Sequence, residues 1–168
     1  MYKKYFNLLL LLLIVSLAAC QSKQTNEMEE HHKAAAVKII EIFDGGNVDE
    51  LDDIIGDNAV EHQIDTSITK KQGREAVKET FSYFHKVFPD MKTTIHSIAV
   101  SNDTVFIYST SVGTTAEPFM GMPVNYRHTV SGVDVIRFEG EKAVEHWGFI
   151  GFEDMMKMMQ QPMMNDTK

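Results

Sequence analysis

The chain has 168 residues, 43% hydrophobic and 24% charged, with a single Cys and a formal net charge of −8. That length holds one domain of ordinary size, the apolar fraction excludes a disordered chain, and one cysteine excludes both an intramolecular disulfide framework and a cysteine-based structural zinc site. The acidic balance argues against nucleic acid as a partner, because phosphate binding needs clustered Lys and Arg.

The chain opens with Lys3 and Lys4, an unbroken apolar run from Leu8 to Val15, and small residues through Ala18-Ala19-Cys20. This is the pattern of a secretory signal, and the run is too short to span a bilayer, which takes about 20 apolar residues. Leu17-Ala18-Ala19-Cys20 resembles a bacterial lipobox. The resemblance implies a lipoprotein signal peptide over 1–19, cleavage before Cys20, and lipid (palmitate among the acyl groups) on the sulfur and amine of Cys20. Residues 20–26 then read as the lipidated Cys and a flexible, polar tether. The expected location is the bacterial cell envelope, on the periplasmic or outer-membrane face, held to the membrane by the N-terminal lipid alone.

Helical spacing of Ala34, Val37, Ile39, Ile40 and Phe43 predicts an amphipathic helix over roughly Glu27 to Asp44, stopped by Gly45-Gly46. Leu51, Ile54 and Ile55 predict a short second helix from Val48 to about Ile55. Val77, Phe81, Phe84 and Phe88 predict a third from Gly73 to Phe88, ended by Pro89. Thereafter the period becomes two. Thr93 to Val100, Thr104 to Thr114, Tyr126 to Phe138 and Lys142 to Gly151 read as strands, with turns at Asn102-Asp103 and Gly140-Glu141. Asp154 to Gln160 is a last short helix, and 162–168 a tail. Helices followed by an antiparallel meander predict an α+β domain over 27–161, helices on one face of a curved sheet, with a conical cavity between them.

Gly73-Arg74-Glu75-Ala76-Val77, Phe88-Pro89-Asp90, Phe119-Met120-Gly121-Met122-Pro123, Gly132-Val133-Asp134 and Val144-Glu145-His146-Trp147 follow in an order that resembles the SnoaL-like polyketide cyclase (ester cyclase) family of the NTF2-like superfamily. The resemblance implies an NTF2-like cone, commonly a homodimer through the sheet. It also implies ring closure by intramolecular aldol condensation, without metal or cofactor, using a His and an Asp on the last two strands. Aligned through Gly140-Glu141-Lys142, the family His falls on Asp134 and the family Asp on Gly148.

Strand parity sets Asp134 on one face with His128, Val130, Ile136 and Phe138, an acid among apolar neighbours. If that face lines the cavity, desolvation suits it to shuttle protons, as in a steroid isomerase of the same general fold; the alternative is an Asp bonded to backbone or water at a bulge. His146 is the expected partner. A three-residue turn centred on Gly140 sets it opposite Asp134, whereas a two-residue Gly140-Glu141 turn sets Trp147 there. His128 lies six residues from Asp134, roughly 20 Å of strand, too far to touch, and reads as a residue of the cone's rim or of a dimer contact. His62 matches a polar position that often faces the family pocket, or is a solvated loop histidine. Phe84, Phe88, Phe119, Met120 and Trp147 are candidates to stack on a ligand as well as ordinary core.

Met155, Met156, Met158, Met159, Met163 and Met164 have the soft thioether of a Cu(I) ligand, but at helical spacing they read as an apolar helix face closing the pocket. His31-His32 reads as a solvated helix start, and no metal site is expected. The expected function is a lipid-anchored protein that binds a small apolar or polycyclic molecule. Asp134 is the base and His146 its partner in ring closure, isomerisation or dehydration. The alternatives are a non-enzymatic binding module and an envelope interaction protein.

Overall fold

The computed structural model describes residues 26–63 and 65–159. The leader, Cys20, and the tail with Met163 and Met164 lie outside the described residues.

Helix α1 covers residues 26–43 and buries Ala36, Ile39 and Ile42, one face at spacings of three. It ends where Gly45 takes a φ of 111° and the amides of Gly45 and Gly46 fold back on the carbonyl of Ile42. A 3-10 helix follows over Val48–Asp53, capped by the Asn47 side chain on the Asp49 amide at 3.1 Å. The short helix expected to reach Ile55 stops earlier, because Ile55–Glu61 is a strand, β1. Helix α2 (Gly73–Val87) buries Ala76, Val77 and Val87. Its first residue must be glycine: φ is 62°, and a Cβ there would strike the carbonyl of Asp57.

Strands β2 (Lys92–Ser101), β3 (Thr104–Thr114), β4 (Arg127–Glu139) and β5 (Lys142–Ile150) form the antiparallel meander. β1 joins it as a parallel edge strand beside β5, giving the order β1-β5-β4-β3-β2. Helix α3 (Phe152–Met159) follows. Val105, Ile107, Ile136, Phe138 and Ala143 on the inner face of the sheet pack against Ala36, Ile39 and Ile42 of α1 and Leu51. His32, expected in solvent, is 3% exposed: it stacks on Phe138 at 4.5 Å and bonds the Gly140 carbonyl at 2.8 Å, tying α1 to the β4–β5 turn.

That turn is the two-residue Gly140-Glu141 connection, with Glu139 opposite Lys142. One pair later the register slips. Phe138 faces Ala143 but Arg137 faces Glu145, so Val144 is the extra residue of a β-bulge. The slip sets His146 opposite Ile136 and Gly148 opposite Asp134.

Candidate active site

Between α1, α2 and the inner face of the sheet lies a cavity of about 420 Å³. Its helix side is aromatic and aliphatic: Phe43 meets Phe81 at 5.1 Å and Phe84 at 5.4 Å, and Phe119 meets Phe84 at 5.5 Å and Phe88 at 5.4 Å, tilted or edge-on. Phe119 comes from a tight turn in which it exchanges both backbone hydrogen bonds with Met122, at 3.1 and 2.8 Å. The two central residues, Met120 and Gly121, both have positive φ, the backbone of a two-residue hairpin. Met120 is thereby 67% exposed at the cavity edge.

On the sheet side three charged groups meet in a line. His146 Nδ1 lies 2.6 Å from Glu61 Oε2, and His146 Nε2 lies 3.2 Å from Asp134 Oδ1. Ionised carboxylates only accept, so both ring nitrogens must carry hydrogen and the ring is an imidazolium. Burial pulls its pKa down, but the hydrogen bonds and charges of Asp134 and Glu61 outweigh that and push it up to about 9. Glu61 is fully engaged, since its Oε1 also accepts the amide of Gln63 at 2.9 Å. Asp134 differs: its Oδ2 has no hydrogen-bond partner among the described residues, and its side chain, 27% exposed, lines the cavity.

The bulge at Val144 is what makes this possible. A regular two-residue hairpin would place Trp147 opposite Asp134; the extra residue reverses the parity of β5 and turns His146 inward. Neither turn considered from the sequence describes the result, because His146 and Asp134 are diagonal rather than direct neighbours. Beside them, Gly148 leaves room that the Gln63 side chain fills: its carboxamide bonds the Gly148 carbonyl and lies where a Cβ on residue 148 would go.

Phe84, Phe88, Phe119 and Met120 all line the cavity, as do Asp134 and His146. His62 and Trp147 do not. They stack on each other at 4.8 Å, and His62 Nε2 bonds Glu145 Oε1 at 2.9 Å. The parity reversal that brings His146 in takes Trp147 out. The His62 bond and then that of Arg137 hold the Glu145 carboxyl below the usual carboxylate range. His128 lines the cavity against Phe88 (6.3 Å between rings), where burial pushes its pKa down against the pull of Asp154. Met155 and Met156 stand outside the lining, and α3 is held to β4 instead, by Asp154 Oδ2 accepting the Ser131 amide at 2.9 Å. The sequence reading passed over Glu61 and Gln63; both sit at the end of the strand it missed.

The model of the SnoaL-like polyketide cyclases matches residues 33–162. The chain belongs to that family. Among solved structures, this SnoaL-like chain is similar to IdmH of Streptomyces antibioticus, a presumed polyketide cyclase: TM-score 0.63, 23% identity, covering 76% of this chain and 97% of that one. It is also similar to AclR of Streptomyces galilaeus, a presumed hydroxylase, with TM-score 0.63, 23% identity and coverage of 80% and 84%. A SnoaL-like polyketide cyclase of Agrobacterium tumefaciens gives 0.62, 15%, 76% and 97%. At such identities the likeness establishes the fold. No curated protein matches the chain.

Proposed function

We propose that this SnoaL-like protein binds a small apolar molecule in its cone and moves a proton on it, with Asp134 as base and His146 as a positioning residue held by Glu61. The free Asp134 Oδ2, beside an imidazolium shared with a second carboxylate, carries the reading. Two carboxylates against one imidazolium leave one negative charge uncompensated beside an apolar cavity, which favours proton uptake by Asp134 and passes that charge to the ligand. Oδ2 takes a proton from a carbon next to a carbonyl, leaving an enolate. The enolate either attacks a second carbonyl of the same molecule, forming a C–C bond and an alkoxide that recovers the proton from Asp134, or is reprotonated at another carbon. The first outcome is ring closure, the second isomerisation.

The test is proton exchange: β-tetralone in D₂O, followed by NMR, should lose its α-protons faster with the protein than without. Asp134→Asn should lower that acceleration at least about 100-fold, the low end for a positioned base, while leaving β-tetralone affinity within about twofold. If the wild type binds the ketone but never accelerates exchange, the second reading wins, a non-enzymatic binding module. Gly148, with Gln63 filling the space of the family acid, favours that second reading.

We also propose that the protein is a lipoprotein of the bacterial envelope; the lipobox-like Leu17-Ala18-Ala19-Cys20 supports this. No helix among the described residues is long and apolar enough to cross a membrane. Labelled palmitate should enter the wild type and not Cys20→Ala, which should leave the detergent phase on partition.

A further inference from the structure

The cavity lining holds two hydroxyls that the relay just described does not use and that have no hydrogen-bond partner among the described residues, Thr80 on α2 and Ser109 on β3; Ser109 is the one on the sheet beside Asp134. Ser109, on β3, is 5% exposed and lines the cavity, yet its hydroxyl has no hydrogen-bond partner among the described residues. The other Ser and Thr hydroxyls of β3 are all engaged. Thr104 bonds Asp103 (2.9 Å), Thr110 bonds His96 (2.8 Å) and Ser131 (2.9 Å), Ser111 bonds Thr93 (2.8 Å), and Thr114 bonds Asp90 (2.8 Å). A hydroxyl that keeps access to a cavity and has no protein partner is free to bond a ligand.

Its place says which part of the ligand it meets. Ser109 faces Gly132 and Ile107 faces Asp134, so Ser109 and Asp134 are diagonal neighbours on the inner face, with backbones about 7–8 Å apart. That span accommodates a hydrogen bond to a carbonyl oxygen, the O=C–C–H unit itself, and a contact from its proton to a base. The charge of the lining narrows the ligand further. Glu61, Asp65, Asp134 and Glu145 border the cavity, His146 is the charged cation among them, and no Lys or Arg lines it among the described residues. A carboxylate or phosphate would meet uncompensated negative charge there.

We infer that Ser109 donates the hydrogen bond that fixes the ligand's carbonyl oxygen beside Asp134, and that the cavity accordingly takes uncharged carbonyl compounds. The assignment rests on the proposed reading of the cavity. On proton abstraction, charge moves from Asp134 to the enolate oxygen, and the Ser109 hydroxyl strengthens its bond to that oxygen as the charge develops.

Three probes of one shape test it by calorimetric titration of the purified protein: β-tetralone, the hydrocarbon tetralin, and the anion β-naphthoate. Wild type should bind the ketone about five- to tenfold more tightly than tetralin, the worth of one buried hydrogen bond, and the carboxylate more weakly than either. Ser109→Ala should bind ketone and hydrocarbon alike, with tetralin affinity and thermal midpoint unchanged. Ser109→Cys, of similar size with a weaker donor, should fall between. An undiminished ketone preference in Ser109→Ala overturns the assignment, as does its loss in Thr80→Val, which would move the anchor to the cavity-lining Thr80 of α2. Binding of β-naphthoate as tight as the ketone overturns the restriction to uncharged ligands. If wild type binds neither ketone nor hydrocarbon, the cavity reading fails and the Ser109 assignment with it. Absent exchange with the Ser109 effect intact removes only the catalytic reading.

Discussion

An imidazolium gripped at both nitrogens makes the fold itself sensitive to alkali. The folded pKa of His146, about 9, stands above its ordinary 6.5. Its contribution to stability is therefore complete below pH 6.5 and is lost as the pH rises through 9, amounting to up to about 3 kcal/mol. Urea unfolding at pH 6 and pH 10 should show that loss, and His146→Gln should abolish the pH dependence in this range. Glu61→Gln removes one of the two charges that hold the proton. The NMR titration midpoint of His146 should then fall from about 9 toward 6.5, and the alkaline limb of the exchange rate with it, while β-tetralone still binds. A merely structural Glu61 would change stability without moving that limb. Gly148→Asp, which supplies the acid of the family position, should push the Gln63 side chain aside and set a second carboxylate near Asp134. About 1–2 kcal/mol of stability should be lost in urea melts, partly regained in the double variant with Gln63→Ala. The face that Asp134 takes was legible at this scale from period-two parity along β4, whereas that of His146 was not, since parity across the observed two-residue turn points Trp147 inward and only the bulge at Val144 reverses it. Nor was Glu61 legible, since nothing local to Val60-Glu61-His62 says that an acid there meets a histidine 85 residues on.

Register belongs to elements, and here one residue decides it. Deleting Val144 should remove the bulge and leave a regular hairpin in which Arg137 still faces Glu145 and Ile136 still faces His146, so that His146 stays on the cavity side and Trp147 outside. The His146 midpoint should then stay near 9, with the strand content by circular dichroism unchanged; a midpoint in the ordinary range would mean that the hairpin had re-paired and turned His146 outward. Bulges leave little trace in sequence: Lys142 to Ile150 reads as a strand either way, and the two turn lengths differ only in which face each side chain takes. β1 escaped for a related reason. Leu51, Ile54 and Ile55 continue a helical spacing, Asp57 and Asn58 are poor strand residues, and only Ile55 and Ala59 of the strand are buried. Its pairing is parallel and distant, so no hairpin turn announces it. The meander, where each strand meets its successor across a short turn, was legible almost to the residue.

At the scale of the molecule, the order of elements and the apolar balance carried the α+β cone, and the family match agrees with it. The outer face of the sheet presents Phe106 and Tyr108 on β3, both exposed and neither in the cavity lining. A second copy of the chain through this face is the assembly we propose. Sedimentation should show a dimer, and Tyr108→Lys should weaken it about tenfold or more without changing β-tetralone affinity, because Tyr108 points away from the cavity.

The relay joins the first strand of the sheet to the last. As the chain leaves the ribosome, β1 waits as an unpaired edge until β5, its one neighbour, has been made. Glu61 and Asp134 are already synthesised by then, but without His146 they are two separate carboxylates with nothing to hold them. A nascent or truncated chain therefore lacks the assembled Glu61–His146–Asp134 group, and the base we propose is in place only with the closing of the last strand pair.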